Sequence, residues 1–594
     1  MRCPDNIAVS KDLGLKDLIR RLSFVTALTL SFSAWAADAP SLKVKIEGVK
    51  GELADNVEAY LGIEKLTKGT LPGPARIRYL HRQAELQIAQ ALAPFGYYRP
   101  HIESNLEQQG DNWIAHYVID PGTAVPYGKI NVQISGPGEK DRVLQGVIRD
   151  SGLKSGKPLR HADYEALKSK LQSQAADRGY YDAHFTTQTL AIDMADYQAN
   201  IDLILDTGPR YRIGAVRFAD APVRKSLLER YVTFERGDYV STRRLLDLQS
   251  SLVDSEYFSR VEVQPQWDEA QGDEVPVDVV LEPNKRTRYR FGVGYGTDTG
   301  ARMRFDQTRR WINDRGHRFN TSILLSQVNN DLVLNYIIPG KHPQTDQYTF
   351  RTQYSTENSD TTDSTTLAVG SSWQKKLDNG WQRIMSLDLE QEDYTVDDEE
   401  YSSLFLIPSS TWSVTRSRNP LRAAEGYRLS FALRGAAESV LSDTNFVQAE
   451  ASGKYVTTLT PRTRLLTRAD LGATWAGDFD QIPTSHRFYA GGDNSIRGYG
   501  YKELGPTNSS GSVIGGKYLV VGSVEADYQF KEDWRVAAFV DTGNAFNDYR
   551  ESMVTGAGFG LRWQSPVGPV RIDLAKPLND ERSFRIHFTL GPDL

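Results

Sequence analysis

The sequence predicts a tandem array of small α+β modules followed by an all-β transmembrane barrel of sixteen antiparallel strands. Three observations predict it: a turn-and-helix plan met three times before residue 288, an alternation of polar and apolar residues in runs of about ten after it, and an N-terminal segment suited to export.

The export segment comes first. Arg20-Arg21 precedes the apolar run Leu22 to Phe32, and Ala34-Trp35-Ala36 supplies small residues where a signal peptidase cuts, so 1–36 reads as a signal peptide. The run falls short of the ~18 apolar residues that span a bilayer. Cys3, the single cysteine, lies in that segment, so the mature chain is expected to carry neither disulfide nor thiol chemistry.

The modules follow, over 41–123, 124–209 and 210–287. Gly69, Gly156 and Gly237 each open a turn, after which Ile77, Tyr164 and Leu245 begin a helix face. Leu80, Leu167 and Leu248 continue it, then Ala84, Leu171 and Leu252, at the three- and four-residue steps of one buried stripe. The helices end in Gly96-Tyr97-Tyr98, Gly179-Tyr180-Tyr181 and Glu256-Tyr257-Phe258. The distance from the turn glycine to the helix end shrinks by ~4 residues from each unit to the next, close to a helical turn, so the buried face keeps its direction.

The barrel occupies 288–594. Tyr427, Leu429, Phe431 and Leu433 share one face of a strand, and Arg428, Ser430, Ala432 and Arg434 the other. Val570, Ile572 and Leu574 alternate with Arg571, Asp573 and Ala575, and Phe584, Ile586, Phe588 and Leu590 with Arg585, His587 and Thr589. Strands with one apolar face also build soluble sandwiches, but a soluble β domain this long would normally split. A membrane barrel turns the apolar face to lipid and the polar face to its lumen.

Composition closes off other classes. Net charge is −6, with no basic excess to hold nucleic acid. The nine histidines form no His-Glu-x-x-His pair and no ligand cluster, and no nucleophile elbow or phosphate-binding loop occurs, so neither enzyme chemistry nor a metal or cofactor is expected. His101 and His184 recur at one offset in two modules, a pattern that suits repeat relics or surface residues better than a shared metal site. Gly292, Gly294 and Gly296 superficially suggest a dinucleotide loop, but they lie in a strand with no helix after it. Glycine at every second position predicts a loosely paired strand. Pairing of the opening strand, Tyr289 to Asp298, with the closing strand, Phe584 to Leu590, is expected to be short or kinked.

Between the eleventh and twelfth barrel strands lies Phe488-Tyr489-Ala490-Gly491-Gly492-Asp493-Asn494-Ser495-Ile496-Arg497-Gly498-Tyr499. Composition alone leaves two readings open: a surface excursion, or a loop folded into the lumen with Arg497 seeking an acid on the wall. Asp541, in Phe539-Val540-Asp541-Thr542-Gly543, is the candidate acid.

Ile496-Arg497-Gly498-Tyr499 resembles the lumenal-loop motif of the BamA/TamA superfamily of outer-membrane assembly and secretion barrels. Phe539-x-Asp541-x-Gly543 matches the partner motif those proteins carry on a later strand, and the three modules resemble their periplasmic POTRA domains. The resemblance covers essentially the whole mature chain. It implies a bacterial outer-membrane location, a loop whose Arg497 reaches the wall near Phe539 and Asp541, and a gate where Gly292, Gly294 and Gly296 on the first strand meet Phe584, Ile586 and Phe588 on the last. Three modules are similar to the TamA-type branch, whereas BamA-type members carry five and two-partner-secretion transporters two. The last residues, Leu590 to Leu594, also resemble a TamA-type ending. That branch implies a TamB-like periplasm-spanning partner anchored in the inner membrane, client outer-membrane or autotransporter proteins, and contact with outer-membrane lipid. Two functional classes follow: insertion or secretion of client proteins through the gate, or the outer-membrane terminus of a phospholipid route. A two-partner-secretion transporter is a further alternative.

Overall fold

The computed structural model describes residues 41–67, 71–396, 399–419, 423–565 and 568–590. The expected signal peptide over 1–36, Gly69 and the ending after Leu590 lie outside these. The chain divides into two compact units, Met1–Arg210 and Tyr211–Leu594.

The first unit holds two modules of one design. In the first, β1 (Leu42–Glu47) is followed by α1 (Glu52–Tyr60) and α2 (Pro74–Leu92), then by β2 (His101–Gln109) and β3 (Asn112–Asp120). β3 lies centrally, parallel to β1 and antiparallel to β2, because the helices carry the chain back across the sheet before the final hairpin. The second repeats this with β4 (Tyr127–Ser135), α3 (Arg142–Arg149), α4 (His161–Asp177), β5 (His184–Asp193) and β6 (Gln198–Asp206). Each central strand buries every second residue: Trp113, Ala115, Tyr117 and Ile119 in β3, and Ala199, Ile201, Leu203 and Leu205 in β6. Against them pack Ile77, Leu80 and Ala84 of α2 and Tyr164, Leu167 and Leu171 of α4, the stripe read from the sequence. His101 and His184 open β2 and β5 and engage local partners, Glu103 at 3.7 Å and the Asp182 carbonyl at 2.9 Å.

The second unit opens with a third such sheet: β7 (Arg212–Phe218), α5 (Lys225–Leu228), α6 (Thr242–Asp254), β8 (Phe258–Pro265) and β9 (Glu274–Pro283), with β9 central. Leu245, Leu248 and Leu252 again face the core. Where the earlier modules end their helices on Gly96 and Gly179 at φ +89° and +87°, the third places Glu256 at φ +61°. A side chain there costs roughly 1–2 kcal/mol of backbone strain. Its carboxylate offsets this by receiving Arg288 at 2.8 Å, and it stands 3.9 Å from Arg310. The module also rests on two barrel turns, with Tyr257 Oη donating to the Gly316 carbonyl at 2.6 Å and Gln344 donating to the Tyr231 carbonyl at 3.0 Å.

The barrel comprises β10 (Thr287–Gly296), β11 (Gly300–Arg309), β12 (Arg318–Ser326), β13 (Asn329–Pro339), β14 (Asp346–Asn358), β15 (Asp363–Lys376), β16 (Gln382–Val396), β17 (Glu399–Ser417), β18 (Gly426–Ala436), β19 (Phe446–Thr460), β20 (Thr463–Ala476), β21 (Tyr518–Lys531), β22 (Trp534–Phe546), β23 (Val554–Ser565), β24 (Gly568–Pro577) and β25 (Arg585–Leu590). All sixteen pair in chain order as one sheet. Their outward faces are apolar: Phe291 and Val293 are each 81% exposed, and Phe431, Leu433, Ile572, Leu574 and Ile586 are exposed alongside them.

Two details bear on the sequence reading of β10. Its three glycines do not loosen its ladder with β11, which runs unbroken from Thr287↔Arg309 to Gly296↔Gly300. Gly294 instead leaves room for the side chain of Arg302 on β11, whose Nε would lie 3.0 Å from a Cβ there. At the other edge, β10 and β25 close the ring without a backbone ladder among the described residues. Tyr295 and Phe588 approach with ring centroids 6.5 Å apart, and the Phe588 N–H donates to Thr297 Oγ1 at 3.1 Å.

Candidate lumenal site

The stretch between β20 and β21 folds inward. Phe488 bridges to Gly516 and Ala490 to Leu504, giving the loop its own frame, and Arg487 ties its stem by donating to the carbonyls of Ile482, Ile514 and Asp480. Ile496 and Tyr499 are buried in a small core with Val521 and Ala545 of the wall.

Arg497 stands at the tip, 6% exposed. Its Nε and Nη2 donate to the two oxygens of Asp541 at 2.7 and 2.9 Å, a two-pronged contact, and its backbone N–H adds a third bond at 3.1 Å. The same guanidinium reaches Glu525 at 2.8 Å and Asp573 at 3.1 Å through Nη1. It lies 3.4 Å above the ring centre of Phe539, which shares a face of β22 with Asp541 two residues on. Arg562 of β23 completes the cluster by pairing with Glu525 at 2.8 Å and Asp573 at 2.6 Å. Two guanidiniums and three carboxylates thus share one buried site. Its hydrogen bonds offset the desolvation of so many charges.

Close backbone approach makes this possible. A Cβ on Gly556 of β23 would lie 1.9 Å from the Arg497 carbonyl oxygen, and one on Gly498 would lie 3.0 Å from Pro577 N. Gly543, at φ +155°, brings β22 equally close to β21, where a Cβ would lie 2.1 Å from the Val520 carbonyl oxygen.

The loop also reaches the seam between β10 and β25. His587 of β25 is 1% exposed. Its Nε2 accepts the Gly498 N–H at 2.8 Å, and its Nδ1 lies 2.6 Å from the Asp493 carboxylate. Asp493 in turn accepts from Thr297 Oγ1 at 2.7 Å, and its N–H donates to Asp298 at 2.6 Å, both in the turn after β10. Further round the wall, Lys502 pairs with Glu357 of β14 at 2.6 Å and His486 with Glu390 of β16 at 2.9 Å.

The structure therefore brings Ile496, Arg497, Gly498 and Tyr499 together with Phe539, Asp541 and Gly543. The glycines of β10 and the residues Phe584, Ile586 and Phe588 stand apart at the seam. Sequence reasoning missed Glu525, Arg562, Asp573, Asp493 and His587. The alternation that sets Asp573 and His587 on the inward face was the signal available for two of them.

Comparison with known proteins places this geometry. The profile of the Omp85 superfamily domain matches residues 285–593, that of "POTRA domain TamA domain 1" matches 43–121, and that of the surface antigen variable number repeat matches 129–208. The chain is 22% identical over 583 residues to outer membrane protein assembly factor BamA of Nitratidesulfovibrio vulgaris, covering 92% of this chain and 72% of that protein. A segment of 116 residues, 18% of this chain, is 30% identical to 14% of the chloroplastic outer envelope protein 80 of Arabidopsis thaliana. In fold, the crystal structure of Haemophilus ducreyi BamA lacking POTRA domains 1–3 superposes with a TM-score of 0.66 at 18% identity, covering 79% of this chain and 99% of that one.

Proposed function

Since the chain belongs to the Omp85 superfamily, a family of outer-membrane barrels that insert or secrete proteins, we propose that it is the TamA-type subunit of a translocation and assembly module. On this reading it sits in the outer membrane with its POTRA modules, 41–123, 124–209 and 210–287, in the periplasm and its barrel, 288–594, in the bilayer. It helps insert or secrete autotransporter and other outer-membrane proteins together with a TamB-like partner. The match of 43–121 to the first POTRA domain of TamA supports the branch.

The observation that carries the mechanism is the seam. β10 and β25 present backbone edges that no ladder joins among the described residues, and an unpaired edge in lipid is a template for an incoming strand. The seam is held by side chains and by the loop, contacts that can part without dismantling the sheet. The driving force is the client's own burial and hydrogen bonding in the membrane.

Cysteines at Gly296 and Phe588, whose Cβ position and backbone oxygen lie 4.0 Å apart, test this. Oxidative locking should stop client insertion, with recovery on reduction, while the barrel stays folded. A locked variant of full activity would overturn the gate. Parallel measurement of phospholipid delivery in the same strain separates insertion from the lipid route.

A further inference from the structure

On the lumenal wall a row of cations crosses three adjacent strands. Arg428 of β18 stands directly opposite Lys454 of β19, and Lys454 directly opposite Arg468 of β20. Like charges facing across a ladder repel, and evolution normally removes them or supplies a counter-charge. Here the nearby acids are committed elsewhere. Glu525 and Asp573 are held by Arg497 and Arg562, and Asp493 by His587 and Thr297. Asp470 is engaged by Arg468 at 3.4 Å. Among the described residues, neither Arg428 nor Lys454 has a carboxylate within salt-bridge distance.

Lys454 and Arg468 also line one cavity of about 60 Å³ beneath the loop, with Arg571 of β24, Thr589 of β25, Asn494 of the loop and the carboxylates of Asp493, Glu525 and Asp573, whose charges the pairs above already engage. Arg468 spends one prong on the Ser495 carbonyl, while its buried Nε, 3.4 Å from an Asp470 oxygen, makes no hydrogen bond. The space exceeds the roughly 10–15 Å³ that a single water requires.

We propose that this cavity binds a phosphate group. A compact ammonium and guanidiniums lining one space suit a tetrahedral anion with several oxygens better than a single planar carboxylate. Asn494 and Thr589 add neutral polar groups. The site adjoins β25, so a phospholipid headgroup entering at the seam could supply the phosphate, as could inorganic phosphate in the lumen. The inference stands apart from client insertion, since it needs only the folded barrel.

The test is calorimetric titration of the full chain in an uncharged detergent, first with inorganic phosphate and then with dihexanoyl phosphatidylglycerol. Saturable binding of at least one is expected, weakened by about tenfold or more in Lys454→Met. Lys454→Met should also raise the thermal midpoint in phosphate-free buffer, because it removes a repulsion, and should lose the gain that phosphate gives the parent chain. Tighter binding of the lipid identifies a headgroup site, and equal binding a site for the free ion. Absence of saturable binding by either ligand, unchanged affinity in Lys454→Met, or a lower midpoint for that variant without phosphate would overturn the proposal.

Discussion

His587 and Asp493 fix each other's role at the seam. The carboxylate can only accept, so the proton of the imidazole sits on Nδ1, 2.6 Å away; Nε2 is then bare and accepts the Gly498 N–H. A neutral ring in one tautomer joins the loop to the last strand, and Asp493 carries the connection to the first.

His587→Ala should therefore loosen the loop and the seam together, at about 1–3 kcal/mol for the buried donor it leaves unpaired. Limited proteolysis within 488–500 and spontaneous crosslinking of seam cysteines should both rise, with the heat-resistant barrel band retained. An Asp493→Asn variant should raise crosslinking less, because an amide can still accept from the imidazole. Unchanged crosslinking in His587→Ala would mean that the pair does not hold the seam.

Arg497→Ala should be the most damaging single change in the loop, costing ~3–5 kcal/mol because it strands buried carboxylates. Arg497→Lys should rescue poorly, since an ammonium cannot reproduce the two-pronged contact with Asp541. Asp541→Asn should be milder, because Glu525 and Asp573 still hold the guanidinium. The double variant should fall well short of the sum. Loop protection by hydrogen exchange reads all four, and strict additivity would sink the shared cluster.

Gly556→Ala inserts a methyl where the Arg497 carbonyl oxygen lies 1.9 Å from the Cβ position. The loop must lift or the wall must bend, so client insertion should fall steeply while every charged partner remains. If insertion and loop protection match the parent chain, close backbone approach is not what seats the loop.

At Glu256 the left-handed backbone and the ion contacts can be separated. Glu256→Ala loses Arg288 and Arg310 and keeps the strain, whereas Glu256→Gly loses the same contacts and sheds it. The glycine variant should be the more stable of the two by about 1 kcal/mol. Equal midpoints would place the strain elsewhere.

Between the first two modules, Tyr98 Oη and His161 Nε2 lie 2.6 Å apart. Burial lowers the pKa of His161, against a smaller opposing pull from Glu165. The folded state therefore prefers the neutral ring. Its contribution is fully present above the unfolded value of 6.5 and is lost as pH falls through the lower folded value. Hydrogen exchange around 96–98 and 158–164, corrected for intrinsic rates, should accelerate between about pH 7 and pH 5, and His161→Gln should remove the dependence.

The fold was legible because it rests on periodicity. The stripes of Ile77, Tyr164 and Leu245 and the two-residue alternation of the barrel are local signals, and local signals survive in one sequence. The site was legible only where a motif gave it away. Arg497 was visible as a lone cation among apolar neighbours, and Asp541 as an acid near an aromatic. That Glu525, Arg562 and Asp573 join them depends on the stagger of β21, β23 and β24, which no single strand encodes. The absence of a ladder at the seam among the described residues is likewise a property of closure. The glycines of β10 carry no trace of it in their own pairing with β11.

Strand length has a consequence for the surrounding bilayer. β10 has 10 residues, whereas β16 and β17 across the barrel have 15 and 19. At ~3.4 Å per residue and a tilt near 45°, the β10 side of the seam stands ~24 Å tall, against a hydrocarbon core of about 30 Å. Lipid beside the seam must compress or tilt to cover it, at a fraction of a kcal/mol per Å of mismatch. Elastic stress is thus concentrated along one line of the perimeter, where a new strand would have the least membrane to displace.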